Sequence, residues 1–150
     1  MLHQDIAEIL TIETAATAFP WTAKNFEDSL KSGHKAWVFF DNSNTIIGFA
    51  LVQKVIDEAH LLNICVKQNQ QGKGFGRAIL NHIIEFAKSI SSVLVVLEVR
   101  SSNKRAQQLY LNAGFNEMSV RKDYYPAKIG REDAILMGLD LDLLSLFSEK

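Results

Sequence analysis

Apolar positions near the start of the chain repeat with a helical period. Ile6, Ile9 and Ala16 predict a first helix over about His3 to Ala18, ended by Phe19-Pro20, since proline cannot continue the ladder. Thr22 has the hydroxyl of an N-cap; Ala23, Phe26 and Leu30 then share one face of a short second helix, with Gly33 after its end. The period then shortens. Lys35 to Phe40, Thr45 to Val55 and Ala59 to Val66 read as three strands, with Asp41-Asn42-Ser43-Asn44 as the first turn. From Gly74 to Ser89 the helical stripe returns through Ile79, Leu80, Ile83, Ile84 and Ala87. The unbroken apolar run Val93 to Leu97 suits a central strand buried on both faces. Ala106, Leu109, Tyr110 and Ala113 predict a further helix closed by Gly114, and two final strands are expected near Phe115 to Arg121 and Asp133 to Leu139. This order makes an α/β sheet with helices on both faces.

Composition narrows the class. The chain has 150 residues, 47% of them hydrophobic, and a net charge of -1. One domain over 1–150 is expected, with about 140–150 as a tail packed on it. The charge balance argues against holding nucleic acid by bulk electrostatics. The longest apolar stretch, Ile46 to Val52, falls far short of the roughly twenty residues of a membrane helix. Asp5, Glu8 and Glu13, with no Lys or Arg in the same segment, exclude a secretory or transit signal at the start. A single cysteine, Cys65, excludes an internal disulfide framework, and His3, His34, His60 and His82 show no metal-ligand spacing. The expectation is a cytoplasmic monomer with no metal, no membrane and no direct nucleic-acid partner.

The most informative segment is Gln70-Gln71-Gly72-Lys73-Gly74-Phe75-Gly76-Arg77, between a predicted strand and the strongest helix. Glycine lacks the Cβ that would block a ligand, so consecutive N–H groups can meet one anion, and the helix N-terminus adds favourable partial charge. A phosphate or pyrophosphate cradle follows. A Walker loop is excluded because Gly74, not Ser or Thr, follows Lys73; the spacing also departs from the dinucleotide fingerprint. A glycine-rich packing turn is the competing reading.

Glu98 interrupts an apolar strand near its C-terminal end, where ligands sit in α/β sheets. Desolvation there would suit a proton acceptor; a salt bridge with Arg100 or a neighbouring Lys is the alternative. Asn103 starts the next helix, where an N-cap role also explains it. Tyr110 lies on the apolar face of that helix, either as core or as a proton donor. Cys65 sits in an apolar strand with no histidine placed to activate it, which favours a buried inert thiol. Tyr124 and Tyr125 fall in a predicted loop with Arg121, Lys122, Lys128 and Arg131, and paired exposed tyrosines suit a peptide backbone; a packed loop cluster is the alternative.

Gln71-Gly72-Lys73-Gly74-Phe75-Gly76 resembles the Q/R-x-x-G-x-G/A signature of the GNAT superfamily of N-acetyltransferases. The likeness extends over nearly the whole chain and implies a mixed, mostly antiparallel sheet flanked by helices. It implies acetyl-coenzyme A as co-substrate, with pyrophosphate on backbone groups of Gln71 to Gly76 beside Arg77. The pantetheine arm would run along Ile64-Cys65-Val66, and Asn103 would contact it. Glu98 falls on the family's general base and Tyr110 on its general acid. More narrowly, Phe19-Pro20-Trp21, Leu97-Glu98-Val99-Arg100, Tyr124-Tyr125-Pro126 and Glu132-Asp133-Ala134-Ile135 are similar to the branch acting on a ribosomal protein's N-terminal alanine. Trp21, Tyr124 and Tyr125 are then the expected substrate-binding residues. The family's usual first strand is reduced or missing, because helical periodicity starts within a few residues of Met1.

An α-amino acceptor suits one modest base. With a pKa near 8 it is roughly one tenth neutral at pH 7, whereas a lysine near 10.4 is neutral about once in a few thousand. A backbone N–H near Val66 could hold the thioester carbonyl. Acetylation of a lysine, polyamine or small amine, and a catalytically silent acetyl-coenzyme A-binding module, are the alternatives.

Overall fold

The computed structural model describes residues 1–142. Its helices are α1 (Ile6–Ala16), α2 (Ala23–Lys31), α3 (Phe75–Ser89) and α4 (Lys104–Asn112). Its strands are β1 (Lys35–Phe40), β2 (Ile46–Val55), β3 (Glu58–Val66), β4 (Leu94–Arg100), β5 (Asn116–Pro126) and β6 (Arg131–Asp140). The six strands form one sheet in the order β1-β2-β3-β4-β6-β5. β1 with β2, β4 with β6 and β5 with β6 pair antiparallel, and β3 with β4 pairs parallel. This is the mixed, mostly antiparallel sheet flanked by helices that the sequence implied.

No strand precedes α1 among the described residues. A 3-10 turn at His3–Asp5 leads into the helix, because Asp5 Oδ2 accepts the Leu2 N–H at 2.6 Å and turns the chain at once. The Met1 ammonium donates to the Ala36 carbonyl at 3.0 Å.

The chain divides into two compact units. One comprises Met1–Gln53 and Leu62–Ile83; the other comprises Lys54–Leu61 and the described chain from Ile84 on.

In the first unit, Ile6, Ile9 and Ile12 of α1 pack with Phe26, Ile46, Phe49, Leu51 and Cys65. Phe26 and Phe49 are fully buried with ring centroids 5.5 Å apart, and each buried aromatic of this kind contributes about 1.5–3 kcal/mol. α2 starts at a reciprocal cap: Thr22 Oγ1 accepts the Asn25 N–H at 3.1 Å, and Asn25 Oδ1 accepts the Thr22 N–H at 2.9 Å. The first strand turn closes on Asp41, whose Oδ1 accepts the N–H groups of Ser43 and Thr45. Gly48 marks a close approach. A Cβ there would stand 2.6 Å from the Cys65 carbonyl oxygen and 2.9 Å from Ile79 Cδ1.

In the second unit, Val95, Val96, Leu97 and Val99 are buried along β4. The parallel ladder with β3 ends at Leu61↔Leu97, while the antiparallel ladder with β6 continues to Arg100↔Ala134. Glu98 is therefore the first residue of β4 beyond the parallel ladder. Asn103 caps α4 by accepting the Ala106 N–H at 3.1 Å, and Gly114 ends the helix at φ +102.

The end of the chain corrects one expectation. β5 runs on to Pro126, so Tyr124 and Tyr125 stand on a strand rather than in a loop. The turn is confined to the segment between Pro126 and Arg131, where the Ala127 N–H donates to the Gly130 carbonyl at 3.2 Å. β5 has no alternating burial to betray it, being exposed from Asn116 to Tyr124; the hairpin ladder with β6 makes it a strand. Of the expected tail, Leu141 is buried and its N–H donates to the Val93 carbonyl at 2.9 Å. Residues 143–150 lie outside the described residues.

Candidate active site

The glycine segment lies in the first unit. After β3 the Lys67 N–H returns to the Ile47 carbonyl at 2.7 Å, and a 3-10 turn at Gln68–Gln70 leads into the loop. Gln71 Nε2 donates to the Val66 carbonyl at 3.0 Å, tying the loop to the strand end where Ile64, Cys65 and Val66 sit. Gly72 and Gly74 have φ of 78° and 87°, values that a residue with a Cβ adopts only under strain. A Cβ on Gly74 would meet no atom within 4 Å. The backbone conformation, rather than close packing, accounts for the glycine, and the space beside it is open. Phe75 then opens α3, whose first N–H groups have no partner within the helix, as at every helix start. Lys73 and Arg77 flank this backbone, with Lys73 Nζ 3.3 Å from Gln70 Oε1 and Arg77 Nε 3.1 Å from Asn81 Oδ1. Donors, open space and positive side chains are what a pyrophosphate needs.

Cys65 is buried, and burial followed by the charge of Glu13 pushes its thiol up to about 12. A thiol held protonated at neutral pH is a poor nucleophile, consistent with an inert side chain. Trp21 packs its ring 5.1 Å from that of Phe26, and its backbone N–H donates to Glu13 Oε2 at 3.1 Å.

The acid–base candidates lie in the second unit. The Glu98 side chain is 26% exposed, and Arg121 Nη1 stands 3.4 Å from its Oε1. The ion-pair partner is Arg121 rather than Arg100, because Arg100 is committed to Glu132 at 2.8 Å. Tyr110 is buried and packs 5.8 Å from the ring of Phe115; burial, then the neighbouring Tyr125, pushes its hydroxyl up to about 12. Tyr125 is likewise pushed up to about 12, by burial first and then by the charges of Glu98 and Tyr124, while Arg100 and Arg121 pull the other way. Glu98, Tyr125 and Tyr110 therefore form one electrostatic neighbourhood. The Tyr124 and Tyr125 rings lie 5.0 Å apart, with the guanidinium carbons of Arg121 and Arg100 5.3 Å and 4.5 Å from their respective centroids. Asn103 spends Oδ1 on its cap.

Residues 4–115 match the acetyltransferase (GNAT) family. The chain belongs to the GNAT acetyltransferases. This GNAT chain is 40% identical over 139 residues, 93% of each protein, to the ribosomal protein bS18-alanine N-acetyltransferase of Escherichia coli. The crystal structure of the Escherichia coli ribosomal-protein-S18-alanine N-acetyltransferase superposes with a TM-score of 0.87 at 39% identity, covering 94% of this chain and 90% of that one. A spermidine/spermine N-acetyltransferase from Vibrio cholerae superposes at 0.83 with 18% identity, covering 99% and 95%, and shares the fold.

Two carboxylates, one in each unit, hold partners that the sequence does not announce. Glu13 is a buried carboxylate whose Oε2 accepts both the Trp21 backbone N–H and Asn63 Nδ2, the latter at 2.8 Å. Glu132 accepts from Arg100 Nη1 and from the Ser102 N–H at 3.1 Å; hydrogen bonds from Ser102 and then Arg100 hold its carboxyl below the usual range. Nothing local to Glu13 or Glu132 signals partners so far along the chain. No group of three His, Cys, Asp or Glu that could hold a metal occurs among the described residues, and no described helix is long and apolar enough to cross a membrane.

Proposed function

We propose that the chain transfers the acetyl group of acetyl-coenzyme A to the N-terminal α-amino group of a protein, its target being the alanine that begins ribosomal small-subunit protein eighteen. The likeness over 93% of the chain to an enzyme named for that reaction carries this reading. Acetyl-coenzyme A supplies an acetyl group already activated as a thioester. Backbone N–H groups from Gln71 to Gly76 hold the pyrophosphate, Ile64-Cys65-Val66 lies beside the pantetheine arm, and Asn103 contacts the same arm. A backbone N–H near Val66 stabilises the oxygen that gains charge.

Glu98 takes the proton of the incoming ammonium, directly or through water. Its partial exposure and its place beyond the parallel ladder leave it reachable. Tyr110, with a hydroxyl pKa near 12, keeps its proton across the neutral range and holds it for the leaving group. Trp21, Tyr124 and Tyr125 bind the first residues of the acceptor.

The test is incubation with acetyl-coenzyme A and a peptide copying the ribosomal protein's N-terminus, read by mass spectrometry, beside spermidine and a lysine peptide with a blocked N-terminus. One acetyl group on the terminal alanine, added faster than to either competitor, is the expected result. Faster acetylation of spermidine or lysine overturns the acceptor; cofactor binding with no turnover on any amine overturns the enzyme.

A further inference from the structure

Successive residues of a strand point to opposite faces, yet Tyr124 and Tyr125 bring their rings within 5.0 Å, each beside a guanidinium. A bulge makes this possible. Between the pairs Arg121↔Ala134 and Tyr125↔Glu132, β5 carries Lys122, Asp123 and Tyr124 opposite Asp133 alone. Asp123 adopts φ +51, which turns the backbone out of the ladder. Side chains of β6 meet the groups displaced from the ladder. Arg131 Nε donates to the Asp123 carbonyl at 2.7 Å, and Arg131 Nη2 donates to the Tyr124 carbonyl at 2.8 Å. Asp133 Oδ1 accepts the Asp123 N–H at 3.0 Å, while its Oδ2 pairs with Lys122 Nζ at 3.2 Å. The Asp123 N–H, followed by the Lys122 ammonium, holds the Asp133 carboxyl below its usual range.

We propose that Arg131 and Asp133 are positioning residues for the acceptor peptide: they hold the bulge that presents both tyrosines together, and so set peptide affinity without touching the peptide. This rests on the reading that Tyr124 and Tyr125 bind the acceptor. A planar guanidinium with two directed donors suits two adjacent carbonyls in a way a lysine cannot. Asp123 in the left-handed region persists only where its surroundings impose that conformation, and Arg131 and Asp133 impose it here from both sides.

The experiment measures peptide KM, kcat, acetyl-coenzyme A affinity and melting temperature for Arg131→Ala, Asp133→Ala, Asp133→Asn and the double variant Tyr124→Ala/Tyr125→Ala. Arg131→Ala and Asp133→Ala should each raise peptide KM about tenfold, the scale of one lost charge-assisted hydrogen bond, with kcat and cofactor affinity within about twofold of the parent. Asp133→Asn keeps the acceptor for Asp123 and should restore most of the affinity. In the tyrosine double variant, Arg131→Ala should add little further, because both changes act through one contact. Should Arg131→Ala fail to fold, Arg131→Lys gives the same reading with a smaller rise. Folded Arg131 and Asp133 variants with parental peptide KM, beside tyrosine variants whose KM rises, overturn the positioning role alone. An unchanged KM in the tyrosine variants removes the peptide-site reading and this inference with it. Parallel losses in KM, cofactor affinity and melting temperature also overturn it, since they mark general support of the hairpin.

Discussion

Arg121 on β5 reaches Glu98 on β4 across the intervening strand β6, with Nη1 3.4 Å from Oε1. Two strand spacings, about 10 Å, separate the two backbones. Arg100, Ala134 and Arg121 share one row of the register, and the small Ala134 between the arginines leaves a long side chain room to cross. The carboxylate read as the base is therefore oriented by a residue of the hairpin that also carries the tyrosines.

Glu98→Gln keeps the shape and an acceptor for Arg121 but cannot take a proton. Turnover at neutral pH should fall about 10²–10⁴-fold. Part of the loss should return as pH rises, because an α-amine with pKa near 8 deprotonates unaided in alkaline buffer. Both partners are partly exposed, so the melting temperature should hardly move; such pairs contribute about 0–1 kcal/mol. Initial rates from pH 6 to 10 check this, and near-parental turnover at pH 7 would dismiss Glu98 as the base.

Gly74→Val should cost cofactor affinity more than stability. The new side chain projects into open space, so no core contact is lost, while φ +87 imposes a strain of about 1–2 kcal/mol. Calorimetry with acetyl-coenzyme A should show at least about tenfold weaker binding in a folded protein, since the Cβ and its methyl groups occupy the space assigned to pyrophosphate. Unchanged affinity would move the phosphates elsewhere.

Gly48→Ala should behave in the opposite way, damaging the fold before any site. Its Cβ meets a backbone carbonyl at 2.6 Å, which cannot swing aside as a side-chain tip can. Overpacking of this kind costs about 1–3 kcal/mol. A urea midpoint equal to that of the parent would show that the strands part without cost.

Stability should decline in alkaline solution. Cys65, usually near 9.0, and Tyr110 and Tyr125, usually near 10.0, are each pushed up to about 12 in the folded protein. Between about pH 9 and 12 the unfolded chain has lost protons that the native state retains, so unfolding is favoured as pH rises. The stabilisation is complete below about pH 9 and drains away toward 12. Tyr110→Phe should flatten the slope of urea midpoint against pH above 10; an unaltered slope would refute the assigned burial effect.

Helix positions were legible because their signals are local. Thr22 caps Asn25 and Asn103 caps Ala106 within one turn, and the stripe of α3 needs no partner to be seen. The two positive-φ glycines before α3 likewise announce themselves by spacing. β5 was legible only in its first half, because its exposure carries no alternation and its register shifts twice. Partners far apart in sequence were illegible: Glu13 finds Asn63, Arg100 finds Glu132, and Arg121 finds Glu98 only once the chain is folded. A charged residue advertises its charge in a sequence, not the address of its counter-ion.

The Lys122–Tyr124 bulge also has a parity. From Arg121 to Tyr125 the chain takes four steps while β6 takes two from Glu132 to Ala134, an even excess. Removing two residues here would smooth the strand yet leave every side chain from Ser119 to Arg121 on its present face, sparing the Arg121–Glu98 pair. Removing one would turn that whole segment over and carry Arg121 to the far side of the sheet. Natural length variation at this point of the hairpin should therefore come in twos, with single-residue changes met by a compensating one between Arg121 and Tyr125.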